Sequence, residues 1–313
     1  MFYGEFPLGL GIYDLGPYDY LNVIAKENQN WQSALTGLLS FIKPTEHYAL
    51  VLVGSDGRLE RHQKRVTDIV AIAETADQYP NWALDEYLTD FGFCLEQHDT
   101  SVYDLTNSRP LSIVQGVGQP KSFPDFLLYS HPIGGNWQYW YEARERVLTE
   151  LQDPAIRKEI RGRNRKEYAK AARTGSYSGA TAFDISQNIQ YYHVNGEPRP
   201  QQGFKMPFLR LAQSWLDLIT IDYLRAFDFD KSEIEALARY MPTPATDRIN
   251  FFGQSGWLND NWQDIFGAYG WFLREYHFAQ ERFYKYGETE TPFNPEEFEF
   301  YSRVLLDKCV YHS

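Results

Sequence analysis

YALVLVGSDGRLERHQKRVTDIV, residues 48–70, decides how this chain reads. It opens on a short apolar run rich in β-branched residues, His47 to Val53 being HYALVLV, and passes without a spacer into Gly54, Ser55 and Gly57. An unbroken apolar run of that length, closed by glycine, is the pattern of a buried strand entering a turn. Thr67 to Ala73, TDIVAIA, is a second run of the same kind, and the residues between the two are polar and basic.

Such a turn can carry chemistry. With no side chain at Gly54 or Gly57, backbone N–H groups can face a bound anion. Ser55 can donate its hydroxyl hydrogen, and Arg58 offers a planar cationic fork to phosphate oxygens. Asp68, heading the second strand, places a carboxylate where it could reach a divalent cation that bridges triphosphate oxygens. An isolated Gly-Ser-x-Gly is more often a plain tight turn; the Arg, Glu and strand-borne Asp that follow favour a phosphate site.

The rest of the chain bounds what this site can serve. At 313 residues and 43% hydrophobic, there is material for two domains of roughly 100–200 residues. No run approaches the ~20 apolar residues that span a bilayer. The N-terminus MFYGEFPLGLGIYDLG lacks a basic region before its apolar stretch, so no membrane association and no classical export signal are expected. Cys94 and Cys309 are the only cysteines and neither lies in a zinc-ligand pattern, which makes a reducing cytosol the expected compartment. Secretion without a cleavable signal stays open. A net charge of −12 argues against nucleic acid as a partner, so the cations of a phosphate site must be local.

From Tyr18 to Lys43 the pattern reads as two helices, the second opening at Asn30 as N-cap, with Pro44 ending them. A helix is expected over Trp82–Phe91, and LSIVQGVG at 111–118 is the best strand of the following stretch. From Asn136 onward the periodicity is almost wholly helical, with VNGEPRPQQG at 194–203 as a loop. The aromatic content of 17% invites a sugar-binding reading. Most aromatics fall at helical spacing, however, as in Trp262, Phe266, Tyr269 and Phe272 or Phe278, Phe283 and Tyr286, which is what a helical core needs. Asn-Trp-Gln recurs at Asn30, Asn136 and Asn261 without a fixed period; an Asn N-cap before a buried Trp accounts for it.

GSDGRLE at 54–60 followed by Thr67-Asp68 resembles the GSxGRxE…TDxD signature of nucleotidyltransferases of the DNA polymerase β superfamily. These are often fused to CBS and cyclic-nucleotide-binding domains and are related to the uridylyltransferase of nitrogen regulation. Asp90–Leu95, DFGFCL, is similar to the family's Gly-Phe segment, and Ser122–Tyr129, SFPDFLLY, to its FFDFRxLYG stretch. Phe204-Lys205, LRLAQSWLDLI, Pro244–Ile249 and the helix around GWLNDNWQDIFGAYGWFLREYHFAQ resemble its helical C-terminal domain. Only the first motif is specific.

The resemblance implies an α+β chain: a polymerase-β-like domain with a small mixed sheet flanked by helices over 1–152, then an all-α domain over 153–313 that binds substrate or partner. It implies Mg²⁺ or Mn²⁺ and transfer of a nucleoside monophosphate from a nucleoside triphosphate to a protein or small-molecule acceptor. Gly54, Ser55, Gly57, Arg58 and Lys205 would bind phosphate or nucleotide. Asp68 and Asp125 would be catalytic and metal-binding, with Glu60 a further candidate ligand. The departure is Val70, which stands where the family has its second strand carboxylate; the loop from Glu60 to Thr67 is also about two residues longer than the family pattern. Valine binds no metal. One ion suffices, or Asp56, Glu60 or Glu74 completes the set, or the domain is a catalytically degenerate nucleotide- or protein-binding module.

Three other features carry bland readings beside functional ones. Eight basic residues lie between Arg157 and Arg173; Arg157, Arg161 and Arg165 share a helix face that either lines a phosphate cleft or is simply solvated. Asp125 is as readily a loop hydrogen-bonding residue as a ligand. His62 and His131 read as loop residues, and a Ser-His-Asp hydrolase has no motif here.

Overall fold

The computed structural model describes residues 10–60, 66–67, 69–75, 78, 94–95, 101–106, 127–176, 182–184, 190–194, 197–201, 208–258, 262–287, 290–292 and 294–310. After a 3-10 turn at Leu10–Asp14 come α1 (Pro17–Leu38), β1 (Tyr48–Leu52), the single helical turn α2 (Gly54–Gly57), β2 (Val66–Thr67), β3 (Ile69–Ala73), β4 (Cys94–Leu95), β5 (Ser101–Asp104) and β6 (His131–Gly135). Then follow α3 (Trp137–Glu150), α4 (Pro154–Ser176), β7 (Ala182–Asp184), β8 (Gln190–Val194), β9 (Glu197–Gln201), α5 (Arg210–Ala226), α6 (Lys231–Tyr240), α7 (Ala245–Gln254), α8 (Trp262–Tyr286), β10 (Glu290–Pro292) and α9 (Pro295–Val310). The chain is mixed α+β and mostly helical.

The elements divide between two compact units, one holding Ile24–Asp153 and Asp228–Arg248, the other Leu8–Val23, Pro154–Phe227 and Ile249–Ser313. The first is built on a four-stranded mixed sheet of order β5-β3-β1-β6. β1 runs antiparallel to β3, with Tyr48 opposite Ala73 and Leu52 opposite Ile69, and antiparallel to β6, while β3 and β5 are parallel. Alternation along the strands sends Tyr48, Leu50, Leu52, Ile69, Ala71 and Ala73 into one buried cluster with Leu35, Leu39 and Ile42 from α1 and the turn after it. α3 contacts β1, β3 and β6 and packs against α6. Both central strands are buried at every position, which is why each reads as a continuous apolar run rather than an alternation.

α1 is one helix, not two. Asn30 is exposed within it, and the buried stripe Leu21, Ile24, Asn28, Gln32, Leu35 runs through without interruption. Polar residues occupy two of its positions, which hides the period; Asn28 Nδ2 satisfies itself on the Ile24 carbonyl at 2.8 Å. Asn136 does cap its helix, accepting from the Gln138 amide at 3.1 Å.

In the second unit α4 packs along α5, and α9 lies against α4, α5 and α8. The aromatic period along α8 builds its core: Phe266, Tyr269 and Phe272 are buried, and Trp271 meets Phe208, Phe272, Phe298 and Tyr301. Tyr286, by contrast, is exposed. This unit is not wholly helical. β8 and β9 form an antiparallel pair with Val194 opposite Glu197, and β7 pairs with β10. The two residues between Val194 and Glu197 are Asn-Gly, the dipeptide that two-residue hairpin connections favour, and the preceding QYYHV is rich in strand formers. The segment 194–203 therefore belongs partly to a strand. Among the described residues, no helix is long and apolar enough to cross a membrane.

Candidate functional site

β1 delivers the chain into the Gly-Ser turn fully buried. Val53 is extended (φ −136°, ψ 179°), and Gly54 then takes φ 59°, in the left-handed region that glycine enters without strain. The turn closes on itself. The amides of Gly57, Arg58, Leu59 and Glu60 donate to Val53, Gly54, Asp56 and Ser55 carbonyls respectively, at 2.9–3.3 Å. Those four donors are thus used internally, which leaves the start of the turn for any anion. Gly54 and Ser55 are also its two half-buried residues.

Gly57 answers to a different demand. A Cβ there would stand 2.1 Å from the Tyr129 carbonyl oxygen and 2.9 Å from that of Leu52, so its lack of a side chain admits protein backbone from both sides. Leu59 has φ 58°. The left-handed conformation costs about 1–2 kcal/mol, but full burial of a leucine is worth about 1.5–3 kcal/mol, and Leu59 is buried. Burial outweighs the backbone cost, and leucine is kept.

Arg58 is buried, with its guanidinium 4.2 Å from the centroid of the Tyr129 ring. Its carbonyl accepts from the Ala245 amide at 3.0 Å. Asp56 and Glu60 are buried too, whereas Glu74 is exposed just beyond β3. Val70 is buried opposite Val51 in the centre of the sheet. Asp68, Asp125 and Lys205 lie outside the described residues, as do His62, Asn261, the helix read at 82–91 and the strand read at 111–118. Among the described residues no group of three or more His, Cys, Asp and Glu could hold a metal ion. The described carboxylates alone do not make up a ligand set for a divalent cation.

The structure brings together in this unit other groups to which the sequence assigned no role at the site. Ser130 Oγ accepts from Trp140 Nε1 at 2.7 Å and donates to the Leu127 carbonyl at 2.8 Å. His131 opens β6, not a loop. Burial first, and the Arg144 charge second, push its imidazole down to about 4, so it is neutral at pH 7. Arg144 on α3 and Arg248 on α7 are both fully buried. Burial, reinforced by the Arg248 charge, pushes Arg144 down to about 9; it stays a cation at neutral pH. The signal for Arg144 was available, since it falls on the buried stripe Trp140, Arg144, Val147, Leu151. Arg248 sits in the short run PATDRI, where no period marks it.

The basic helix face is used within the second unit. Arg157 donates to the Leu224 carbonyl at 3.1 Å, and Arg161 grips the Asp222 carboxylate through Nε at 2.5 Å and Nη2 at 3.2 Å. Only Arg165 of the three is exposed. Arg157 and Arg161 therefore join α4 to α5 and are not part of a solvated row.

No family model matches the chain, and a search of curated proteins finds no match.

Proposed function

We propose that the chain is a metal-dependent nucleotidyltransferase that binds a nucleoside triphosphate at the turn after β1 and moves its nucleoside monophosphate to a protein or small-molecule acceptor. The observation that carries this reading is the turn itself. A buried antiparallel strand ends in Gly54 at positive φ and a half-buried Ser55, and the neighbouring strand β3 is preceded directly by Asp68. Ser55 and the first amides of the turn would hold triphosphate oxygens; the rest of the turn is locked by its own hydrogen bonds and would be rigid before the ligand arrives. Mg²⁺, held by Asp68 and Asp125, would supply charge neutralisation on the transferred phosphoryl group.

The test is incubation with ATP, UTP, GTP or CTP, Mg²⁺ or Mn²⁺, and a cell lysate as acceptor, read by mass spectrometry. Nucleotide adducts and pyrophosphate are expected with the wild type and not with Asp68→Ala. A folded protein that releases no pyrophosphate and labels nothing sinks the reading.

Val70 favours a second one. At the position of the second strand carboxylate the side chain is apolar and packed in the sheet, consistent with a fold kept for binding nucleotide or a partner protein without transfer. Calorimetry separates the two: nucleotide affinity indifferent to EDTA and to Asp68→Ala belongs to the binding module alone.

A further inference from the structure

α4 concentrates positive charge in a chain whose net charge is −12: eight of its residues are Arg or Lys, and two, Glu159 and Glu167, are acidic. One side of the helix is occupied by the protein itself. Arg157, Ile160, Asn164 and Tyr168 are buried, and Arg157 and Arg161 bond to the Leu224 carbonyl and the Asp222 carboxylate on α5. The opposite side faces solvent. Ala155, Lys158, Glu159, Arg165, Lys166 and Ala169 are exposed there, and Gly162 is half-buried.

The outward residues fall in register. Lys158 and Arg165 stand seven positions apart and run along one flank; Glu159 and Lys166 do the same along the other, with Gly162 between the flanks. Among the described residues no carboxylate pairs with Lys158, Arg165 or Lys166. Like charges gathered on one helix face weaken the helix. Gly162 weakens it further, because glycine is the poorest helix former after proline, and among the described residues nothing beyond the helix lies within 4 Å of where its Cβ would stand. No packing within the chain compensates either feature.

A partner of opposite charge compensates both. A helix laid over Gly162 comes close where no Cβ intervenes, and carboxylates on its two flanks reach Lys158 and Arg165 on one side and Lys166 on the other. Flanking charges select partners in this way in two-helix seams. Nucleic acid suits the face less well. Its phosphates extend beyond one helix face, where the negative excess of the chain opposes them, and phosphate contact by side chains has no need of a glycine.

We propose that the outer face of α4 docks an acidic helix of a partner protein, with Lys158, Arg165 and Lys166 pairing its carboxylates and Gly162 admitting its backbone. The proposal stands on the charge and register of α4 and not on the transferase reading.

Fluorescence anisotropy of the full chain with a labelled, helix-stabilised peptide of three heptads tests it, the peptide carrying Ala and Leu on one face and Glu along both flanks. A scrambled peptide of the same composition is the control, and a single-stranded oligonucleotide is the competing polyanion. The patterned peptide is expected to bind saturably, one per chain, at least tenfold tighter than the scrambled one and more weakly as salt rises. Lys158→Glu with Arg165→Glu should weaken it at least tenfold. Gly162→Leu should do the same without changing the charge, and it should fold, because the space at Gly162 is open and leucine is the better helix former; circular dichroism checks each variant. Absence of peptide binding, equal affinity for the two peptides, or a folded Gly162→Leu of unchanged affinity overturns the proposal. An oligonucleotide that binds more tightly than the peptide and is indifferent to Gly162→Leu also overturns it and marks the face as one for nucleic acid. Neither nucleoside triphosphate nor Mg²⁺ is present in the assay, so its outcome is separate from that of the transfer experiment.

Discussion

Gly57→Ala is expected to destabilise the protein by at least about 1–3 kcal/mol, the usual cost of forcing atoms into packed space, because both atoms that the new Cβ meets are backbone oxygens. Urea unfolding measures it; a loss under ~0.5 kcal/mol, the range of an ordinary surface change, would show that the close approach of Tyr129 is not fixed. His131 adds a pH dependence. Its imidazole is held near 4 in the folded chain against 6.5 when free, so the unfolded state binds the extra proton between those values. Stability is then fully present above pH ~6.5 and is lost as pH falls toward ~4, by up to about 3 kcal/mol. His131→Gln should flatten that part of the stability–pH curve, and an unchanged slope would place the acid sensitivity elsewhere. At this scale the sequence was legible where chemistry is local, as at Gly54, which needs positive φ in its own turn. It was not legible at Gly57 or Arg58, whose roles depend on Tyr129, some 70 residues further along the chain.

The joint between α4 and α5 rests on Arg161 and Asp222. Asp222 is buried, so Arg161→Met should cost about 3–5 kcal/mol by stranding its carboxylate, and adding Asp222→Leu should recover most of the loss. Thermal unfolding of the three variants distinguishes this pair from a dispensable one, for which both single changes would be mild. Asn136→Ala removes the N-cap of α3 and is expected to cost about 1 kcal/mol, readable as a fall in Tm with the far-UV spectrum unchanged. Most helices were visible from their apolar period, and β1 and β3 from their unbroken apolar runs. β6 was not: HPIGG holds a proline and two glycines, which argue against a strand. It forms nonetheless because it is the edge of the sheet beyond β1, where Pro132 can be tolerated and the register shifts between Leu50 and Val51. Gly135, at φ 77°, lets the chain pass close over the Tyr48 carbonyl.

Over the whole chain, the described residues of the first unit come from two separate stretches, Ile24–Asp153 and Asp228–Arg248. A protein ended at Asp153 would lack α6, whose Ile234 and Ala238 are buried, as well as Met241 and Arg248. It should bind a hydrophobic dye and be cleaved rapidly by protease; a cooperative unfolding transition from that shortened protein would show that the sheet and α3 suffice. Periodicity could not reveal this interleaving, because α6 looks like any amphipathic helix and nothing in its sequence says which core it joins.

The hydrogen bond from the Ala245 amide to the Arg58 carbonyl sets a schedule for biosynthesis. The ribosome adds about 5–20 residues per second, so the partner of Arg58, roughly 190 residues downstream, is polymerised some 10–40 s later. Until then the turn holds only its own hydrogen bonds, and the Arg58 carbonyl has water in place of the Ala245 amide.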